Sequence, residues 1–158
     1  MLLCAGISVS VSELDDIGDR LLVIFDGYCG FCNRSVRWFL RRDGDDRLRF
    51  VPSDSPRANE LLTRYGLGLP GSELGPNTIV VVRNAGRPDE RVFLRSDAAR
   101  ELLGELPQPW RTAGIVFGWI PRPVRDLGYR LIARWRYRIW GRLESCPIPT
   151  AAERARFL

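Results

Sequence analysis

Hydrophobic positions change their spacing several times along the chain, and each change marks an element. Leu21-Leu22-Val23-Ile24-Phe25 is an unbroken apolar run, the pattern of a strand buried on both faces. Asp26 and Gly27 end it. From Gly30 the period becomes helical. Phe31, Ser35, Trp38 and Phe39 recur at helical intervals among Arg34, Arg37, Arg41 and Arg42, which predicts a helix over about 30–42, stopped near Asp43-Gly44. Leu48-Arg49-Phe50-Val51 reads as a short second strand. Pro52 to Pro56 supplies a turn with capping residues before a helix through Leu61, Leu62 and Tyr65. Gly66 to Pro76 is a Gly- and Pro-rich loop. Thr78-Ile79-Val80-Val81-Val82 is rich in β-branched residues and reads as a strand. Asn84-Ala85-Gly86-Arg87 then turns the chain into Arg91-Val92-Phe93-Leu94, an expected antiparallel hairpin. Ser96 and Asp97 mark the start of a helix through Leu102 and Leu103.

The resulting order, β-α-β-α-β-β-α, is that of a thioredoxin-like core. The expected class is therefore α/β, with a four-stranded mixed sheet flanked by helices and a C-terminal helical extension. After Pro107 and Pro109 the character changes. Trp110 to Trp119 is apolar and helical, Pro121 and Pro123 interrupt, and a last helix spans about 123–140. Val124, Leu127, Leu131 and Trp135 share one face of it, and Arg130, Arg134 and Arg138 another. The chain thus divides into a tail (1–19), a thioredoxin-like core (20–106) and a basic extension packed on that core (107–158). The expectation for the last helix is that it buries its Trp residues on the core and leaves its Arg in water.

Composition narrows the chemistry. Apolar residues form 45% of the 158, enough for a real core. All 24 basic residues are Arg, and Lys and His are absent. That removes Ser-His-Asp and Cys-His catalysis, His-ligated zinc, Schiff-base lysines and the P-loop lysine. The net charge of +5 is uneven: residues 110–142 hold eight Arg against one acid, Asp126, a net +7, which leaves −2 elsewhere. Such a segment suits an anionic membrane surface or an acidic partner. No recognisable nucleic-acid motif accompanies it. The first residues, Met1 to Ser12, lack a basic stretch and are followed by Glu13, Asp15 and Asp16, so they read as a tail and not as a signal peptide. No apolar run approaches the roughly 18 residues of a membrane-spanning helix. The expected location is the cytoplasm, where working cysteines are the ones that oxidise.

The candidate chemistry lies in Asp26-Gly27-Tyr28-Cys29-Gly30-Phe31-Cys32. A thiolate is the reactive form of cysteine, and unpaired N–H groups at a helix N-terminus stabilise it. Cys29 falls where the helix should start, and Cys32 lies one turn in, on the same side. The pair suits thiol–disulfide exchange: Cys29 attacks a substrate disulfide and Cys32 resolves the mixed disulfide. The rival is zinc held by Cys4, Cys29, Cys32 and Cys146, but the second C-x-x-C that such sites show is missing. No metal and no cofactor is expected. Asp26 has two readings, a proton acceptor for Cys32 or a cap for the following turn. Gly27 and Gly30 suit tight backbone turns. Tyr28, Gly30 and Phe31 are candidates for the substrate surface, with Phe31 equally suited to the core. Arg34 and Arg37 read as a solvated face. Pro76 stands near the place where thioredoxin-like folds set a cis-proline facing the C-x-x-C. Cys146, in Glu144-Ser145-Cys146-Pro147, is a plain cysteine or an auxiliary resolving thiol, and nothing is assigned to Cys4.

In Val-Ile-Phe-Asp-Gly-Tyr-Cys-Gly-Phe-Cys-Asn, with Asp26, Cys29 and Cys32, the chain resembles the DCC family of thiol–disulfide oxidoreductases. Arg95-Ser96-Asp97-Ala98, Pro121-Arg122-Pro123-Val124-Arg125-Asp126, the stretch from Tyr129 to Gly141, and Cys146 carry the resemblance further. It implies a thioredoxin-like fold and a redox activity. Two functions follow. The first is an oxidoreductase that exchanges disulfides with a protein or a low-molecular-weight thiol. The second is a binding module that docks on a membrane surface or membrane partner through Trp119, Trp135, Tyr137, Trp140 and the arginines around them.

Overall fold

The unbroken apolar run forms the central strand β1 (Leu21–Phe25), with every side chain buried. In this computed structural model residues 17–67, 78–144 and 149–158 are described. Helix α1 (Gly30–Leu40) leads from β1 to β2 (Leu48–Pro52), and α2 (Pro56–Arg64) follows, with Ser55 accepting the Ala58 N–H as its N-cap. Strands β3 (Val80–Arg83) and β4 (Arg91–Leu94) form the hairpin, and α3 (Arg95–Glu105) closes the unit. The sheet order is β2-β1-β3-β4; β1 and β2 are parallel and the other two pairings antiparallel. This is the mixed four-stranded sheet of a thioredoxin-like fold. Alternation along β1 divides the core. Leu21, Val23 and Phe25 meet Val36 of α1 and Leu102 of α3 on one side, and Leu22 and Ile24 meet Ala58 and Leu61 of α2 on the other.

Helices α4 (Trp110–Trp119) and α5 (Arg122–Trp140) form the C-terminal extension. Helix α4 lies on α3, and α5 contacts both α1 and α3. Two stretches that are distant in sequence meet here. The Ser96 hydroxyl donates to Asp126, and Asp97 accepts from Arg125 at 3.0 Å and pairs with Arg122 at 3.1 Å. Ser96 and Asp97 therefore do not cap α3, which begins one residue earlier without a side-chain cap; their side chains are spent on α5. Strand β3 likewise starts later than its β-branched run. The Ile79 N–H donates to the Tyr129 hydroxyl at 3.0 Å instead of to a neighbouring strand.

Two features depart from expectation. The apolar face of α5 is turned outward: Val124, Leu127, Leu131 and Trp135 are 44–58% exposed. The inward face instead buries Arg125 and Arg136. Trp119 is also largely exposed. The cause is polar. The inward face meets Asp97 on α3 and the acidic end of β1, and these carboxylates select arginine. The second departure is a returning C-terminus. Helix α6 (Ala151–Arg154) leads into a tail alongside β2, where the Phe50 N–H donates to the Arg156 carbonyl at 2.8 Å and Leu158 N–H to that of Phe50 at 3.0 Å. Phe157 packs edge-on against Phe25. The tail covers a strand edge that would otherwise be open to pairing.

Asp43 ties this tail to the end of α1. Its buried carboxylate accepts the N–H groups of Arg47 at 2.8 Å and Leu48 at 3.0 Å, and the Arg156 guanidinium at 3.2 Å. Asp43→Ala orphans the two backbone donors and takes one acceptor from Arg156, which keeps the Leu40 and Asp43 carbonyls and Asp46; urea unfolding should show a stability loss of about 3 kcal/mol.

Candidate active site

The last residue of β1 delivers the chain into a tight turn. Asp26 accepts the Tyr28 N–H at 3.0 Å through Oδ1, and its carbonyl accepts the Cys29 N–H at 3.3 Å. Asn33 clamps the same turn from inside α1, donating to the carbonyls of Gly27 at 2.6 Å and Cys29 at 3.1 Å. Cys29 thereby becomes the N-cap of α1, in extended backbone conformation, and its sulfur accepts the Cys32 N–H at 3.2 Å. Sulfur here takes the position that a serine or aspartate oxygen holds at most helix starts. Both cysteines are free thiols; Cys29 is fully buried and Cys32 partly so.

Charge settles on Cys29. Its pKa is lowered to about 6, first by the hydrogen bond from the Cys32 thiol, then by the Cys32 N–H and the nearby Arg136 charge, with burial opposing. The Cys32 thiol is pushed far up, because it donates to the Cys29 sulfur and because it is buried. The pair therefore holds one negative charge at neutral pH, on the helix-cap sulfur.

Arg136 reaches the site from α5. Its guanidinium lies 3.5 Å from the Cys32 sulfur, 3.5 Å from Asp26 Oδ2 and 3.2 Å from the Tyr137 hydroxyl. Tyr137 donates its hydroxyl to the same Asp26 oxygen. Past the end of α5 the strap Gly141–Leu143 runs over the turn. Arg142 bridges to Cys29, the Leu143 N–H donates to the Tyr28 carbonyl at 2.8 Å, and the Gly30 N–H to that of Gly141 at 3.4 Å. Gly30 is required by this approach: a Cβ there would stand 2.5 Å from the Trp140 carbonyl oxygen.

The residues singled out from sequence fall as follows. Cys29, Cys32 and Asp26 come together at one end of β1. Tyr28 contributes its carbonyl to the strap. Phe31 is partly buried and rests against the Trp140 ring, with centroids 4.8 Å apart. Gly27 is buried, and its carbonyl anchors Asn33. Arg34 and Arg37 are exposed. Pro76, Cys4 and Cys146 lie outside the described residues. Among the described residues no group of three or more His, Cys, Asp or Glu is arranged to hold a metal ion. Sequence reasoning missed Arg136, Asn33 and the strap, and it read Tyr137 only as part of a docking face. The available signal was that Arg136 stands off the row formed by Arg130, Arg134 and Arg138, on the opposite side of α5 from Leu131.

The model of the DCC1-like thiol–disulfide oxidoreductase family matches residues 23–142. The chain is 33% identical over 144 residues to the uncharacterized protein YuxK of Bacillus subtilis, covering 91% of this chain and 97% of that one. It is 27% identical over 129 residues to a chloroplastic DCC family protein of Arabidopsis thaliana, covering 82% of this chain and 70% of that one. No solved structure matches. The matched segment runs from within β1 into the strap, so it contains Cys29, Cys32 and the helix that brings Arg136.

The Gly30 contact can be tested directly. Gly30→Ala forces the strap away from α1, and thermal or urea denaturation should show a loss of about 1–3 kcal/mol, typical of over-packing a close contact. Iodoacetamide should also label Cys29 faster in this variant, because the strap no longer seats against it.

Proposed function

The chain belongs to the DCC1-like thiol–disulfide oxidoreductase family, and from that premise we propose that it exchanges disulfides through Cys29 and Cys32. The observation that carries this reading is the Cys29 sulfur at the N-cap of α1, stabilised as a thiolate by Cys32 and Arg136. In the forward direction the Cys29 thiolate attacks one sulfur of a substrate disulfide. The substrate S–S bond breaks, a mixed disulfide forms, and the other substrate sulfur leaves as a thiolate. That thiolate takes up the Cys32 proton. Cys32 then attacks the Cys29 sulfur, the Cys29–Cys32 disulfide forms, and the second substrate sulfur leaves. Two electrons pass from the dithiol to the substrate. The substrate class is a protein disulfide or a low-molecular-weight disulfide, and the setting is a reducing compartment such as the cytoplasm.

Two features shape this scheme. Cys29 is buried where the strap pairs with it, so substrate reaches it only when Gly141–Leu143 lifts. Asp26 shares Arg136 with the Cys32 sulfur. This arrangement supports Asp26 as a positioning residue that holds Arg136 against the thiols. The proton-acceptor reading would require the carboxylate itself to face Cys32, and the guanidinium bridges the two.

The decisive test is equilibration in glutathione buffers, alkylation and mass spectrometry. A reversible two-electron Cys29–Cys32 couple is expected; thiols that resist oxidation, or stoichiometric zinc on the purified protein, would sink the reading. Cys32→Ser should accumulate mixed disulfides on Cys29.

The pH profile tests the roles separately. Alkylation of Cys29 should rise through an inflection near pH 6, since its pKa is lowered to about 6. Arg136→Gln removes a charge that favours the thiolate and should move the inflection up. Asp26→Asn removes a charge that opposes it and should move the inflection down. If Asp26 acts as proton acceptor, the inflection still moves, and Asp26→Asn should in addition slow the resolving step in single-turnover kinetics.

A further inference from the structure

Helix α5 presents two faces, and the site uses only the inner one. The outer face carries Val124, Leu127, Leu131 and Trp135, spaced three or four residues apart, as one apolar stripe that is 44–58% exposed. Arg130, Arg134 and Arg138 run alongside it, all exposed, and Arg138 lies over the Trp135 ring, 5.4 Å from its centroid. Asp126, the one acid of residues 110–142, is turned away to Ser96 and Arg122. The outer face is therefore apolar and cationic, with no carboxylate.

We infer that this face is a docking surface for an anionic lipid bilayer, on which α5 lies in the plane of the headgroups. The stripe would enter the acyl boundary while the arginines pair with lipid phosphates, the division of labour of an interfacial amphipathic helix. A bilayer satisfies both halves of the face at once. A second copy of the chain would bring two arginine rows to one seam with no acid to oppose them. A nucleic acid would engage the arginines and leave the Val-Leu-Leu-Trp stripe in water. The helix lies on the membrane and does not enter it: no helix among the described residues is long and apolar enough to cross one. This inference stands on the surface of α5 and not on the redox chemistry.

The test uses the full, reduced chain in co-sedimentation with vesicles of phosphatidylcholine alone and of phosphatidylcholine mixed with phosphatidylglycerol. Binding should require phosphatidylglycerol and fall as salt rises. With roughly fivefold in partitioning for each basic residue at the surface, Arg130→Gln/Arg134→Gln/Arg138→Gln together should lower it about a hundredfold. Leu131→Asp should abolish binding as well. Both variants alter exposed side chains, so circular dichroism and the pH profile of Cys29 alkylation should stay as in the parent chain. Several results would overturn the inference: no binding to the anionic vesicles at low salt, equal binding to phosphatidylcholine alone, or variants that bind like the parent. A concentration-dependent dimer that Leu131→Asp dissolves, without vesicle binding, would assign the face to a second copy.

Discussion

A guanidinium removed from water has to be matched by charge and hydrogen bonds, or it costs several kcal/mol. Arg136 finds that match through its two terminal nitrogens, between Asp26, the Tyr137 hydroxyl and the Cys32 sulfur, while its Nε has no hydrogen-bond partner among the described residues. The geometry of the site follows from this one burial. Helix α5 lies across the start of α1, where, alone among the described residues, a carboxylate and two thiols converge. Once α5 is placed, its C-terminal end delivers Gly141–Leu143 onto the turn, and Trp140 comes so close that residue 30 has room only for hydrogen. The positive charge also offsets the burial of Cys29. A sulfur sealed from solvent would normally be driven towards the neutral thiol, yet here the two hydrogen bonds from Cys32 and the cation behind it outweigh that tendency.

The second anchor of α5 lies a few turns away. Ser96 and Asp97 at the start of α3 grip Asp126, Arg122 and Arg125 at the start of α5. Two stretches of the DCC-like resemblance, Arg95–Ala98 and Pro121–Asp126, are thus halves of one contact. Neither touches the cysteines. Their part is to fix the near end of α5 so that its far end arrives at Cys32, which makes the C-terminal extension a component of the site and not an appendage to it.

Local features were readable in the sequence. The buried strand at 21–25, the helix starting at the C-x-x-C, the hairpin and the helices of the extension follow from periodicity and turn residues that lie within a few positions of one another. The thiol pair was legible for the same reason, since a helix start and a three-residue spacing are local properties. What escaped depends on contacts across the chain. Arg136 meets Cys32 and Asp26 from 104 and 110 residues away, and one arginine among eight carries no mark of that meeting. The pattern on α5 correctly separated an apolar from a basic face but could not say which way the helix turns. The expectation that this helix buries its Trp residues and leaves its Arg in water rested on hydrophobicity alone, whereas carboxylates on α3 and at the end of β1 chose the arginine-bearing side. The returning tail escaped because Phe157 and Leu158 become strand-like only beside β2.

The collision at Gly30 bears on how such a chain can diversify. In a C-x-x-C pair the two intervening residues are the natural dial for redox potential, since they sit on the first turn of the helix that stabilises the thiolate. Here the first of them is frozen, because any side chain would strike the Trp140 carbonyl, and the second, Phe31, leans on the Trp140 ring. The dial has in effect been moved to α5. Variation in the oxidising strength of chains built on this plan should therefore be sought at Arg136, Tyr137 and the strap, about a hundred residues downstream of the cysteines they govern.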